Sequence, residues 1–164
     1  MAEFLLNFER IDLFDCVGTA MNDNIINSSK APEPVGLYPH ARRVGNLLFL
    51  SGVGPRERGT KKIPGVELNE QGEIISYNIE TQCRSVFQNV RHIIEGAGSS
   101  WSQIVDVTVF LTNMTNDFAV YNRIYAEYFA DNQPCRTTVE VNKLPTPIAI
   151  ELKVIATIVS VART

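Results

Sequence analysis

The feature that most constrains this chain is its last strand-forming segment, Ala149 to Val161, whose stretch VIATIVSVA is apolar at consecutive positions. A strand with one wet face alternates between apolar and polar residues. One that does not alternate is buried on both faces and belongs inside a sheet covered on both sides. The rest of the chain offers too few helices for that. In one helical segment Ile79, Cys83, Val86, Phe87, Val90, Ile93, Ile94 and Ala97 fall on one face, and Gly96 and Gly98 end it. In the other, Phe118, Tyr121, Ile124, Tyr125, Tyr128 and Phe129 form a stripe that Pro134 stops, with Thr115 or Asn116 as the cap. Two helices cover one face, so a second subunit is the expected cover of the other.

The strands follow from shorter signals. In RRVGNLLFLSG the dipeptide Gly45-Asn46 separates two β-forming runs, as a two-residue hairpin turn with positive φ requires. A short strand is expected around Glu73 to Ser76. IVDVTVFLT (Ile104 to Thr112) is β-branched and alternating, and Thr137 to Asn142 precedes the turn KLPTP, punctuated by Pro145 and Pro147. The order is that of an α+β layer structure with two helices packed on one sheet. Its 164 residues allow a single domain, read here as residues 35–164. Residues 1–34, ending in the polar stretch NDNIINSSKAPEP, read as an N-terminal extension. From Gly54 to Gly72 the chain is rich in Gly, Pro and charge, an extended loop with a basic cluster of Arg56, Arg58, Lys61 and Lys62.

Composition excludes several function classes. With 18 acidic and 15 basic residues the net charge is -3, so a phosphate backbone is not the default partner. Cys16, Cys83 and Cys135 are odd in number, widely spaced and without a CxxC pair, which fits a reducing compartment and neither a disulfide framework nor a zinc site. His40 and His92 lack HExxH or HxH spacing, so no metal is expected. At 45% hydrophobic and 20% charged residues the chain reads as a soluble globule with no membrane partner. The acidic positions Glu3, Glu9, Asp12 and Asp15 do not suit a signal peptide, and a cytoplasmic location is expected.

The motifs AP, GLYPHA and LFLSG, the segment NDFAVYNRIYAEYF and above all PCRTTVEVNKLPTPIAIELKVIA resemble the Rid, or YjgF-type, family of reactive-intermediate deaminases. The likeness runs from about Ala31 to Ala156. It implies a chorismate-mutase-like fold with a mixed β-sheet, and a homotrimer with ligand clefts between subunits. It further implies hydrolysis of enamines or imines to ketones and ammonia with no cofactor, organic or metal.

The resemblance also assigns roles residue by residue. Arg136 matches the arginine that binds the ligand carboxylate, for which a guanidinium offers two parallel donors that a lysine cannot. Glu151 matches the glutamate associated with the attacking water, a suitable general base. Without the motif, Arg136 reads as a surface ion pair and Glu151 as a solvated charge on the strand face opposite Ile150 and Leu152. Tyr38 matches the tyrosine of the family's GPYSQA motif and would wall the cleft. Ser51 and Gly52 match a Ser-Gly pair that lets ligand and backbone approach. Asn122 matches an asparagine on the second helix, which is either a ligand contact or an internal hydrogen-bond partner.

Departures from the pattern point to a more particular substrate. His40 stands where glutamine is usual, and Thr138 stands where a cysteine is frequent, which removes any thiol role there. Arg42, Arg43, Arg56, Arg58, Lys61, Lys62 and a protonated His40 are candidates to meet a second carboxylate, against the alternative of a solvated basic surface. Within the family, GLYPHARR and the long N-terminus are similar to the bacterial 2-aminomuconate deaminases of aromatic-compound degradation. That likeness implies conversion of 2-aminomuconate to 4-oxalocrotonate and ammonia. The alternatives are a generalist 2-iminoacid hydrolase and a non-catalytic small-molecule-binding regulatory protein. A role on RNA, also attributed to members of the family, is weakened by the acidity and by the lack of a basic stripe interleaved with aromatics. The sequence leaves open whether a trimer or a hexamer forms.

Overall fold

The computed structural model describes residues 24–158, and the first 23 and last six residues lie outside that description. Alternating and β-branched runs give the strands β1 (Ile25–Ile26), β2 (Ala41–Val44), β3 (Leu47–Leu50), β4 (Val66–Leu68), β5 (Ile74–Tyr77), β6 (Ile104–Leu111), β7 (Cys135–Glu140) and β8 (Ile150–Thr157). The two periodic segments form α1 (Ile79–Gly96) and α2 (Met114–Phe129). Six strands make one mixed sheet in the order β1-β2-β3-β8-β6-β7, and β4 and β5 pair separately. Neighbours are antiparallel except β6 and β7, which run parallel because α2 crosses over between them. The hairpin turn forms as its sequence requires, with Gly45 at φ 61°.

Both helices pack on one face. Leu48, Leu50, Val107, Val109, Leu111, Ile150, Leu152, Val154 and Ala156 of the sheet meet Val86, Phe87, Val90 and Ile94 of α1 and Tyr121, Ile124 and Phe129 of α2. Phe87 is the hub, with the rings of Tyr128, Phe129, Trp101 and Tyr125 within 6.5 Å of its own. The other face carries Arg42, Val44, Phe49, Thr137, Val139, Glu151, Lys153 and Ile155, as the strand registers dictate. Val44 is 62% exposed and Val139 37%. The two valines stand near opposite edges of this face, Val44 on β2 and Val139 on β7, so apolar surface is exposed at both ends of it.

Several boundaries differ from the sequence reading. Residues 24–34, assigned above to the extension, belong to the domain: β1 pairs with β2, and Ala31 is buried in the core. The short strand expected at residues 73–76 forms but does not join the main sheet, because the loop from Gly54 to Gly72 supplies its partner β4. α2 is capped by Asn113, whose side chain accepts the Asn116 N–H at 3.0 Å, so the cap lies two residues before Thr115 and three before Asn116. β7 starts at Cys135 rather than Thr137, since pairing with Asp106 begins there. The last strand is Ile150–Thr157, and the end expected for it at Val161 lies outside the described residues.

Candidate active site

Arg136 lies on β7 opposite Val107 of β6, a register that turns it to the helix face of the sheet. There α2 presents Tyr121 and Tyr125, four residues apart on one side of the helix, as a platform. The guanidinium carbon sits 4.6 Å from the Tyr125 ring centre and 5.7 Å from that of Tyr121, and one nitrogen donates to Asn122 Oδ1 at 2.9 Å. Among the described residues no carboxylate lies within 4.0 Å of it. Thr138, two positions on, shares the face. Its hydroxyl and those of Tyr121 and Tyr125 are buried without a hydrogen-bond partner. Burial pushes both phenols up while the Arg136 charge draws them down, so they stay protonated donors at neutral pH. A planar cation with no anion of its own, surrounded by spare hydroxyls, is suited to a carboxylate ligand.

Glu151 lies on β8 opposite Phe110, whose neighbours Val109 and Leu111 face the helices, so Glu151 is on the other face. The chain leaving β3 crosses it, because Val53 and Leu152 exchange backbone hydrogen bonds of 2.8 and 2.9 Å. This crossing lays Gly52 against the Glu151 carboxylate so closely that an added Cβ would overlap it. Tyr38, Gly54, Arg56 and Thr146 complete a cleft around the pair. Burial holds the Glu151 carboxyl above the usual carboxylate range, and the Arg56 charge opposes that rise. A half-buried carboxyl tuned in this way exchanges a proton more readily near neutral pH than a solvated one does.

The remaining candidates divide. Tyr38 is 43% exposed at the mouth of the cleft. Ser51 donates its hydroxyl to the Pro39 carbonyl at 2.6 Å, which orients the turn and engages its proton. His40 is buried, its Nε2–H donating to the Pro32 carbonyl at 2.8 Å while Nδ1 accepts the Ser28 N–H at 3.1 Å. With both nitrogens engaged it is a strut holding residues 28–32 against β2, not the cationic contact read from the sequence. Of the basic set, Arg43 bonds the Gly45 carbonyl, Arg58 pairs with Glu33 at 3.0 Å, and Lys62 lies 3.6 Å from Glu57. Arg56 alone of that set lines the cleft. The tyrosine platform under Arg136 and the Gly52–Glu151 packing escaped the sequence reading. The i, i+4 spacing of Tyr121 and Tyr125 was the available signal for the first.

Arg136 and Glu151 are thus not brought together within one chain. They point to opposite faces, with β6 between their strands. Among the described residues, no three His, Cys, Asp or Glu side chains gather as a metal site, and no helix is long and apolar enough to cross a membrane.

The α+β fold described above, a mixed sheet with two helices on one face, is shared with known proteins. The chain belongs to the Rid (YjgF-type) family: the family model described as Endoribonuclease L-PSP matches residues 28–158. A RutC family protein of Pyrococcus abyssi is 39% identical over 136 residues, covering 83% of this chain and 98% of its own. Reactive Intermediate Deaminase A, chloroplastic, of Arabidopsis thaliana is 34% identical over 140 residues, 85% of this chain and 68% of that protein. Among solved structures, yeast Mmf1 superposes with a TM-score of 0.71 at 32% identity, covering 82% of this chain and 98% of that one. E. coli TdcF with bound serine gives 0.69 at 32% identity, with 81% and 97% covered.

Proposed function

We propose that this protein is a hydrolytic enamine/imine deaminase whose substrate is 2-aminomuconate, converted to 4-oxalocrotonate and ammonia. The observation that carries the reading is Glu151, a carboxyl raised by burial and set in a cleft against a glycine, the environment a general base for water needs. The Arabidopsis relative's name supports deamination of reactive intermediates, and the bound serine of TdcF, an amino acid with a carboxylate, supports the role given to Arg136.

The enamine first tautomerises to the 2-imine. Arg136 holds the adjacent carboxylate through two parallel N–H donors, which fixes C2 and removes part of the entropic barrier. Glu151 takes a proton from water as its oxygen bonds to C2, and the C=N π pair moves to nitrogen. Glu151 returns that proton to nitrogen, which completes the carbinolamine. It then passes the hydroxyl proton to the same nitrogen, so that the C–N bond breaks, ammonia leaves and the C–O pair closes the ketone.

Because Arg136 and Glu151 face opposite ways, one site takes its arginine and its glutamate from different copies of the chain. A homotrimer with three clefts satisfies this and covers the face bearing Val44 and Val139. Ammonia release from 2-aminomuconate and from 2-iminobutyrate tests the reading with wild type, Arg136→Ala and Glu151→Gln. Turnover of 2-aminomuconate should fall about 10²–10⁴-fold in Glu151→Gln and roughly 10–150-fold in Arg136→Ala. Activity on 2-iminobutyrate alone would make the protein a generalist. Binding that needs Arg136 without ammonia release would make it a binder.

A further inference from the structure

Arg56 is the one strongly basic side chain of the extended loop that enters the cleft, and the loop is built to keep it there. Asn89 of α1 donates to the carbonyls of both Gly54 and Arg56 at 2.9 Å, and Ser85 donates to that of Pro55 at 2.8 Å. Three successive carbonyls are therefore fixed to a rigid helix immediately beside the side chain. Arg56 is half-buried and shares its cleft with Tyr38, Gly52 and Glu151. One terminal nitrogen donates to the Glu33 carbonyl at 2.6 Å. The carboxylate of Glu33 is taken by Arg58 at 3.0 Å, so Arg56 has no anionic partner within 4.0 Å among the described residues. A guanidinium has five N–H donors, and one is committed. The rest belong to an anchored, half-buried cation with no ion-pair partner among the described residues, in the same cleft as the group assigned to the chemistry.

We propose that Arg56 determines specificity by binding the carboxylate remote from the imine carbon, making this a site for imino dicarboxylates. The proposal rests on the reading above, in which Arg136 of one copy holds the carboxylate next to C2 and Glu151 of another acts on water. Glu151 then faces C2, and Arg56, lining the same cleft, is the cation that remains for the substrate's other carboxylate. Arg56 takes no proton and forms no bond, and its contribution is charge-assisted hydrogen bonding to an anion that a monocarboxylate lacks. It also lies close enough to Glu151 to favour the ionised carboxylate. A second cation here therefore has two separable effects, one on substrate choice and one on the pH at which the base works.

The test compares wild type, Arg56→Gln and Arg56→Lys, with melting temperature as the check on folding. In Arg56→Gln, kcat/KM for 2-aminomuconate should drop about 10–150-fold, mostly through KM, while that for 2-iminobutyrate at its pH plateau changes less than about threefold. Arg56→Lys should recover part of the loss, since charge returns without the fork. In Arg56→Gln the acidic limb of kcat/KM for 2-iminobutyrate should move to higher pH. Equal losses on both substrates, or no loss on either, would overturn the proposal. If wild type releases no ammonia, the hydrolase reading fails by itself. Calorimetric affinity for cis,cis-muconate against crotonate still decides Arg56 in that case: a preference for the diacid that disappears in Arg56→Gln supports it, and an unchanged ratio refutes it.

Discussion

Gly52 shows how a single atom can matter in this protein. Its backbone angle is not one that other residues avoid, so Gly52→Ala should fold with a melting temperature near that of wild type. The new methyl group would occupy the Glu151 carboxylate position and force the carboxylate to move. Turnover should fall about 10²-fold, the usual cost of moving a reacting group by about an ångström, and a normal rate in this variant would mean that Glu151 is not the base. The raised Glu151 carboxyl makes a second prediction. Because the ionised form is the base, kcat/KM should fall as pH drops through its folded pKa, and the inflection should lie above the ordinary carboxylate range. Motif and residue type made Arg136, Glu151, Gly52 and Tyr38 visible in the sequence. Their separation was not, because it depends on strand register: a shift of one residue in the pairing of β7 would turn Arg136 to the face of Glu151. His40 misled for a related reason, since its partners Ser28 and Pro32 lie in a segment that looks like a tail.

At the level of elements, α1 carries the stability and the start of α2 carries an electrostatic cost. Phe87→Ala removes the hub of the aromatic cluster and should cost about 3–5 kcal/mol, measured as a shift in the denaturation midpoint. Asp117, in the first turn of α2, is buried and accepts a hydrogen bond from the Tyr77 hydroxyl at 2.8 Å. Burial raises its carboxyl, with the Tyr77 bond opposing, and burial first and Asp117 second push the Tyr77 phenol up to about 12. The folded protein therefore holds this proton to higher pH than the unfolded chain does. Its contribution is present below the unfolded pKa and lost as pH rises through the folded one. Asp117→Asn, which still accepts from Tyr77, should flatten that part of the stability profile in urea titrations run from the ordinary carboxylate range upward in pH. Helix periodicity and strand alternation were legible because each is a local record of burial. The Asn113 cap was not, since Asn113, Thr115 and Asn116 all suit the role and the choice depends on where α2 leaves β6.

For the whole molecule, the placement of Arg136 and Glu151 on opposite faces predicts complementation between impaired proteins. Arg136→Ala and Glu151→Gln, each impaired alone, should regain activity above that of either when unfolded and refolded together. Random assembly gives roughly a quarter of the clefts both native side chains. Refolding them separately and then mixing should restore far less, and no recovery in the co-refolded sample would place both residues in one subunit's site. The consecutive apolar residues of the last segment suggested a sheet covered on both faces, and among the described residues the second face carries the exposed Val44 and Val139. Residues 54–62 add nothing to the main core and hang from α1 by two side chains. A lineage can therefore rewrite that stretch, changing which metabolites its enzyme accepts, while the residues that make the chain fold stay under separate and undisturbed selection.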